Sequence, residues 1–226
     1  MLKAIVFDYN GTLVDDLDLH EESYYRSGVE MGFDITRDTV KKYISQSPSD
    51  KRVLFYGAIS DAQWAQVIEL KKKIYHQLAE SSFRLFPQTE EALTRLSRVY
   101  RLAVLSNTFR FAFERFFPAH LARLFSTTLF FEEVDDPKPS PAPMRSVMGT
   151  LGLEKEECCY VGDAVEDIQM AKAAGVRAFS LTSGAVAAEE LERAGADWVG
   201  PDLTALADRL LGGGSQKSLD RQGPIG

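Results

Sequence analysis

Short, nearly continuous apolar segments alternate with longer amphipathic segments along most of this chain. Such segments are typical of strands buried on both faces of a parallel sheet. They comprise residues 4–7, 102–105, 128–131, 158–161 and 178–181. Helical periodicity spans about Gln88 to Val99 and about Asp167 to Ala174, where Gly175 suits a helix end. Strands that alternate with helices predict an α/β fold with a Rossmann-like, doubly wound parallel sheet.

The segment from residue 16 to residue 83 interrupts this alternation because it contains only helical patterns. Ser60 and Gln63 have the spacing of a helix-capping box. An apolar face follows, formed by Trp64, Val67, Ile68, Ile74, Tyr75 and Leu78. The sequence therefore predicts a core over residues 1–15 and 84–211, an inserted all-helical cap domain over 16–83, and a disordered, Gly-rich tail over 212–226.

Charge and cysteine content narrow the class of partner and the compartment. The chain has 26 basic and 33 acidic residues, a net charge of −7, which argues against nucleic acid or an anionic membrane as the main partner. No apolar stretch approaches the ~18 residues of a membrane span. The two cysteines, Cys158 and Cys159, are adjacent, which excludes a disulfide framework. We expect a cytoplasmic protein, monomeric or homodimeric.

Polar residues follow the first two predicted strands, at the edge of a parallel sheet where ligands bind. Asp8 comes directly after the first strand, and Gly11 permits a tight turn. Asp8 can act as a nucleophile toward phosphorus, or only cap the turn. Ser106 and Asn107 follow the second strand. They can bind phosphate oxygens, or cap the next helix.

Two further motifs lie later in the chain. Lys138 stands between prolines, which restrict the backbone around it. It can balance a carboxylate and a phosphate, or be a solvated loop lysine. Asp163 and Asp167 are four residues apart, so they can share one face of a helical turn. Such a pair suits Mg²⁺, or simply places favourable charge at a helix start.

The order of these motifs along the chain is more specific than any one of them. With its helical insert after the first motif, the chain resembles the haloacid-dehalogenase superfamily, and in particular its phosphoglycolate-phosphatase-like members. The resemblance runs from about Leu2 to Leu211.

This resemblance implies a cofactor, a substrate class and a role for each motif. Asp8 would be the nucleophile and a magnesium ligand, and Ser106, Asn107 and Gly11 would bind the phosphoryl group. Lys138 would bridge the nucleophile and the phosphate. Asp163 and Asp167 would hold Mg²⁺ directly or through water, and Asn10 would add its backbone carbonyl. The implied partner is a small phosphorylated metabolite.

The chain departs from the family at Asn10, where phosphatases carry a second aspartate that protonates the leaving oxygen. An amide cannot shuttle a proton at neutral pH. Such acid–base help is worth about 10²–10⁴-fold in rate. We therefore expect slow hydrolysis of small phosphate monoesters through an aspartyl phosphate on Asp8, unless the leaving group is good or a cap residue supplies the proton.

Two other functions remain compatible with the sequence. One is a protein that binds a phosphorylated ligand or a partner with little or no turnover. The other is hydrolysis of a phosphonate or a haloacid. The cap is expected to select the substrate, with His20, Lys51 and Arg52 as candidate contacts around a loop over residues 45–50. Closure of the cap is expected to hinge near Val14 and Leu85.

Overall fold

The computed structural model describes residues 1–44 and 48–212. Its centre is a sheet of parallel strands in the order β3-β2-β1-β4-β5-β6. The strands are β1 (Ala4–Phe7), β2 (Arg101–Leu105), β3 (Phe125–Leu129), β4 (Cys158–Gly162), β5 (Arg177–Leu181) and β6 (Trp198–Gly200). This confirms the predicted doubly wound α/β sheet.

The sheet differs from the prediction at two strands. β3 starts three residues earlier than predicted and stops at Leu129. Phe130 and Phe131 lie beyond it, where their rings contact Phe113 and Phe109, so their apolar character serves packing and not the strand. β6 was not predicted, because its three residues are too few for a recognisable pattern.

Helices cover both faces of the sheet and form a separate layer above one edge. They are α1 (Leu17–Glu30), α2 (Arg37–Tyr43), α3 (Pro48–Tyr56), α4 (Asp61–Ser82), α5 (Thr89–Ser97), α6 (Arg110–Phe116), α7 (Ala119–Ala122), α8 (Ala142–Leu151), α9 (Val165–Ala174), α10 (Ala188–Arg193) and α11 (Leu203–Gly212). No described helix is long and apolar enough to cross a membrane.

Alternation of side chains along the buried strands builds two cores, one on each face of the sheet. In β1, Ile5 and Phe7 face the core formed with α5 and α11, while Ala4 and Val6 face the core formed with α8 and α9. In β4 the adjacent Cys158 and Cys159 divide in the same way, and both are buried and free. The result is a three-layer core with β1 at its centre.

Between β1 and α5, the described residues form only helices and their connections. α1 packs along α4, and α2 and α3 complete a small apolar core around Tyr24, Val40 and Val67. The capping box predicted at Ser60 and Gln63 is confirmed at the start of α4. The cap boundaries at 15/16 and 83/84 stay predictions, and α11 extends one residue beyond the predicted end at Leu211.

The chain enters and leaves this helical layer at one place. Val14 and Leu85 form an antiparallel bridge, and the Asp15 N–H donates to the Arg84 carbonyl at 3.0 Å. The two connections predicted to act as hinges therefore lie side by side. Beyond them, Leu19, Tyr75 and Ala79 of the layer form one apolar cluster with Ala112 of α6.

Candidate active site

The carboxyl ends of β1, β2 and β4 converge beneath the helical layer. Asp8 follows β1, and its N–H donates to the Val161 carbonyl of β4 at 2.8 Å. Ser106 follows β2, and its N–H donates to the Leu129 carbonyl of β3 at 3.1 Å. Because β1 lies between β2 and β4, the side chains after these strands meet at one edge, as expected for ligand sites of open parallel sheets.

A buried lysine connects two of the converging carboxylates. Lys138 is 3% exposed, and its Nζ donates to Asp167 Oδ1 at 2.7 Å and lies 3.0 Å from Asp8 Oδ1. The Tyr160 hydroxyl is a further partner at 3.2 Å. Burial would lower the pKa of Lys138, but Asp167 and Asp8 hold it well above its ordinary value. The site therefore keeps a fixed positive charge beside Asp8.

Asp8 itself is buried, and Lys138 is the cation beside it. Burial raises the pKa of Asp8 above its ordinary value, although Lys138 and a hydrogen bond from Ser106 oppose this. The contact of Asp8 Oδ1 with Lys138 is an ion pair, because no described residue has hydrogen-bond geometry to this oxygen. A carboxylate held next to a cation is suited to nucleophilic attack on a phosphoryl group.

Three carboxylates form a cluster that can hold a cation. Oxygens of Asp8, Asp163 and Asp167 lie within 4.8 Å of one another. Burial, followed by the charges of Asp8 and Asp167, raises the pKa of Asp163 well above its ordinary value. A divalent cation would offset this repulsion, and Mg²⁺ favours a few carboxylates supplemented by water and phosphate oxygens. The donor set therefore fits magnesium.

Glycines leave the space in which these carboxylates lie. A Cβ on Gly11 would come 2.3 Å from Asp163 Oδ2, and one on Gly184 would come 1.9 Å from the same atom. Gly11 also has a φ of +75°, which disfavours other residues. The Thr12 hydroxyl donates to Asp163 Oδ1 at 2.8 Å. Asp163 is thus held by a close-fitting backbone.

Asn107 and Asp167 each hold a neighbouring loop in place. The Asn107 side chain donates to the Lys138 carbonyl and accepts from the Lys138 N–H, both at 3.1 Å. Asp167 Oδ2 accepts from the N–H groups of Asp163 and Ala164 at 3.1 and 3.0 Å. These contacts fix the backbone that carries Lys138 and Asp163.

A second polar cluster lies on the helical side. The Asn10 side-chain amide donates to Asp16 Oδ2 at 2.6 Å, and the Tyr75 hydroxyl donates to the same oxygen. His20 Nε2 lies 3.4 Å from that oxygen, and His20 Nδ1 lies 2.8 Å from Lys71 Nζ. Burial would raise the pKa of Asp16, but His20, Tyr75 and Asn10 together hold it below its ordinary value.

One cavity of about 270 Å³ joins the two clusters. Asp8, Ser106 and Lys138 line its floor, and His20, Lys51 and Lys71 line its helical side. Its apolar lining consists of Leu17, Tyr24, Ile44, Trp64, Ile68, Phe109, Phe131 and Val186. Together with Lys138, the side chains of His20, Lys51 and Lys71 give this acidic chain a local basic site that suits an anion.

The structure brings all the predicted motifs of the core together and separates the predicted cap contacts. Asp8, Asn10, Gly11, Ser106, Asn107, Lys138 and Asp163 line the cavity, and Asp167 lies beneath it against Lys138. His20 and Lys51 also line it. Arg52 does not, because it binds Asp61 and the Ile59 carbonyl.

The loop predicted over residues 45–50 is only partly within the described residues. Residues 45–47 lie outside them, and α3 already begins at Pro48. Lys51 therefore lies in the first turns of a helix. There, burial lowers the pKa of Lys51, while Glu166 and Asp163 oppose that shift.

Sequence reasoning missed Asp16, Lys71 and Glu166. A signal existed for Lys71, because it lies three and four residues from Ile68 and Val67 on one side and from Ile74 and Tyr75 on the other, within the apolar face of α4. A lysine in such a face is unusual and points to a buried partner. Asp16 and Glu166 carry no comparable signal, since acidic residues are common at helix starts.

Comparison with known proteins identifies relatives over most of the chain. The family model described as haloacid dehalogenase-like hydrolase matches residues 5–181. A phosphoglycolate phosphatase from Photorhabdus laumondii is 26% identical over 219 residues, which covers 92% of this chain and 91% of the relative. One from Vibrio vulnificus is 27% identical over 223 residues and covers 93% and 96%.

Solved structures agree on the fold. A hydrolase from Pseudomonas syringae superposes with a TM-score of 0.79 at 22% identity, over 93% of this chain and 98% of the other. The family match runs from within β1 to the end of β5, and it includes the helical layer and all the motifs at the carboxyl edge of the sheet. The chain belongs to the haloacid dehalogenase-like hydrolases, and it is similar to their members named phosphoglycolate phosphatase.

Proposed function

We propose that this protein is a magnesium-dependent hydrolase of small phosphate monoesters that uses Asp8 as a covalent nucleophile. The observation that carries this proposal is the position of Asp8. Its carboxylate lies 3.0 Å from the buried Lys138 ammonium and belongs to a cluster of three carboxylates suited to a divalent cation. This arrangement supplies a nucleophile together with the positive charge that a phosphoryl group requires.

In this proposal, Asp8 attacks phosphorus, and the bond from phosphorus to the ester oxygen breaks. Lys138 stabilises the charge on the transferring phosphoryl group, and the Ser106 hydroxyl orients one of its oxygens. Water then attacks the aspartyl phosphate and releases inorganic phosphate with Asp8 restored. Asn107 and Asp167 act through others, because their side chains hold Lys138 and the loop that carries Asp163.

Mg²⁺ would be held by Asp8, Asp163 and the Asn10 backbone carbonyl, with Asp167 in direct or indirect support. When bound, the ion supplies charge neutralisation for the phosphoryl oxygens and for the clustered carboxylates. Without it, Lys138 is the only cation that contacts Asp8 among the described residues.

The substrate is expected to resemble phosphoglycolate. Relatives that cover more than nine-tenths of the chain carry the name phosphoglycolate phosphatase. The cavity volume of about 270 Å³ suits a small molecule. Lys51 and Lys71 on its helical side can receive a second anionic group such as a carboxylate.

Turnover of p-nitrophenyl phosphate with and without Mg²⁺ tests this proposal. Its leaving group is a stable anion that hardly needs a proton, so turnover does not depend on an acid that protonates the leaving group. We expect turnover in the wild type that EDTA and Asp8→Asn each abolish, whereas Asp18→Asn, an exposed carboxylate of α1, retains it. Binding of inorganic phosphate without any turnover would favour a ligand-binding protein, and metal-independent turnover would contradict the magnesium site.

A further inference from the structure

We propose that the preferred substrate carries an apolar, ring-sized body between its phosphate and its carboxylate. Such a substrate shares both anionic groups with phosphoglycolate and differs from it in the carbon body that joins them. The inference rests on the proposed phosphatase function and names the class of phosphate ester that the cavity accepts. Three features carry it: large apolar side chains that remain partly open in the cavity, their origin on both of its sides, and a cation in the helical layer.

Four large apolar side chains line the cavity and are only half-buried. They are Trp64 and Ile68 of the helical layer, and Phe109 and Phe131 of the core. Burial of such side chains stabilises a soluble protein, so an apolar surface left open in a cavity is typical of a ligand site. The apolar part of phosphoglycolate is a single methylene group. A two-carbon acid would therefore leave most of this surface in contact with water.

The apolar side chains face the cavity from both the core and the helical layer. Phe109 directly precedes α6 and Phe131 follows β3, and their rings pack edge-on with centroids 5.4 Å apart. Both rings lie outside the two cores of the sheet. On the helical side, Trp64 packs beside Tyr56 with ring centroids 6.0 Å apart, and Ile68 follows one turn later on the same face of α4. A ring in the cavity can therefore contact aromatic side chains on both sides, an arrangement that aromatic groups favour.

Lys51 provides a cation for the second anionic group. It lines the cavity, and its Nζ lies 5.9 Å from the centroid of the Tyr24 ring. Lys71 Nζ lies 5.0 Å from the same centroid but is engaged with His20 Nδ1 at 2.8 Å. Within the part of the chain that the structure describes, no carboxylate lies within ion-pair distance of the Lys51 ammonium. A carboxylate of the substrate would complete its contacts and oppose the burial that lowers the pKa of Lys51.

Apolar walls can also serve only to keep water away from the phosphoryl group. In that case, affinity would depend on the two anionic groups and not on the body between them. A ligand-binding site for a ring-sized body predicts the opposite, because each apolar group that enters such a site adds to the affinity. The two explanations therefore predict different rankings of ligands that carry the same anionic groups.

Three phosphonates separate these contributions. Titration calorimetry with Mg²⁺ present compares phosphonoacetate, which has both anionic groups without a ring, with benzylphosphonate, which has the ring without a carboxylate. The third ligand, 4-(phosphonomethyl)benzoate, has the ring and both anionic groups. We expect it to bind at least about tenfold more tightly than either of the others, since one methylene group in an apolar pocket already contributes about 10–200-fold.

Substitutions assign each contribution to its side chain. We expect Phe131→Ala and Trp64→Ala each to weaken binding of 4-(phosphonomethyl)benzoate by about tenfold, and binding of phosphonoacetate by less than about threefold. Lys51→Met should weaken binding of 4-(phosphonomethyl)benzoate by about tenfold and leave benzylphosphonate unchanged. Phe111→Ala and Lys73→Met are matched controls at exposed positions that do not line the cavity. Retained affinity for phosphonoacetate shows that Phe131→Ala and Trp64→Ala are folded.

The ranking in the wild type decides the inference. Binding of phosphonoacetate that is as tight as that of 4-(phosphonomethyl)benzoate would overturn the ring-sized body, as would equal losses for all three ligands in Phe131→Ala and Trp64→Ala. Turnover of p-nitrophenyl phosphate, measured in parallel, tests the phosphatase proposal separately. No turnover with the expected ranking would overturn the phosphatase proposal, whereas turnover with the reverse ranking would overturn only the ring-sized substrate.

Discussion

At the scale of single residues, the side-chain amide of Asn10 is matched to the buried carboxylate of Asp16. Asn10 donates to Asp16, and Asp16 in turn faces Tyr75 and His20. An aspartate at position 10 would place a second carboxylate in contact with the buried Asp16. The carboxylate of Asp16 therefore requires a hydrogen-bond donor at position 10. A substitution at one of the two positions should be compensated by a substitution at the other.

A charge swap tests this coupling. We expect Asn10→Asp alone to lower the free energy of unfolding by roughly 2 kcal/mol or more, because it removes a donor and adds a like charge. The double variant Asn10→Asp/Asp16→Asn restores a donor–acceptor pair and should recover at least half of that loss. Urea denaturation of both variants and of the wild type at pH 8 measures this. Additive effects of the two substitutions would contradict the coupling.

The glycines around Asp163 permit a test of the metal site. We expect Gly184→Ala to weaken Mg²⁺ binding by about 10–100-fold, because the added methyl group would overlap Asp163 Oδ2 and displace it. Gly149→Ala is the control, since a Cβ there meets no atom within 4 Å. Titration calorimetry with MgCl₂ measures both. Unchanged affinity in Gly184→Ala would argue that Asp163 does not hold the ion.

The sequence predicts the core half of the site more fully than the helical half, where it indicates only His20 and Lys51 among the residues that line the cavity. Asp8, Ser106 and Asp163 each follow a buried strand, and parallel strands bring such residues to one edge whatever their separation in sequence. The contacts of Asp16, His20 and Lys71 depend instead on how α1 lies against α4. That packing angle is set by side chains over both helices, and no local pattern encodes it.

At the scale of elements, α4 contains one residue that helix packing does not explain. Its apolar face runs through Val67, Ile74 and Tyr75 and contains one lysine, Lys71. A helix built only for packing would place an apolar residue there. Lys71 therefore lowers the stability of the fold, and we attribute its presence to the charge that it supplies to the cavity.

The pH dependence of stability should reveal that cost. Folding lowers the pKa of Lys71 from 10.5 to about 7, so between these values the unfolded chain binds more protons than the folded one. Stability of the wild type relative to Lys71→Met should therefore rise as pH increases from about 7 toward 10.5 and be lowest below 7. Urea denaturation at pH 6, 8 and 10 measures this, with Lys73→Met, at an exposed position of the same helix, as the control. A difference that does not change with pH would show that Lys71 is solvated.

The elements differ in how well sequence reveals them. The strands β1, β2, β4 and β5 each contain a mostly apolar, buried run, and the capping box marks the start of α4. The residues of β3 are only partly buried or exposed, so the pattern of this strand is weak. The more apolar Phe130 and Phe131 beside it shifted the predicted strand toward the C-terminus. β6 is a strand because it pairs with β5, and a local sequence pattern does not reveal such a tertiary contact.

At the scale of the whole molecule, the helical layer closes the cavity by resting on α6. Leu19, Tyr75 and Ala79 form one apolar cluster with Ala112, which is 3% exposed, and Arg115 pairs with Glu80 at 2.9 Å. Small residues on both sides of this contact let the backbones approach. The closed arrangement therefore depends on the volume at position 112.

A larger residue at that contact should hinder closure. We expect Ala112→Leu to lower kcat/KM for phosphoglycolate roughly tenfold, since overpacking costs about 1–3 kcal/mol. Ala65→Leu, at an exposed position of α4, should have little effect. Steady-state kinetics measures both, with thermal unfolding to confirm that each variant is folded. An unchanged kcat/KM in Ala112→Leu would mean that catalysis does not need this contact.

The bridge between Val14 and Leu85 has a consequence for how such proteins diversify. Because the chain departs from the core and returns to it at adjacent residues, the core does not rely on the intervening helices to hold its two segments together. The whole helical layer can therefore be replaced while Asp8 and Lys138 keep their positions. The cavity residues that the helical layer contributes can therefore change without displacing those that the core contributes.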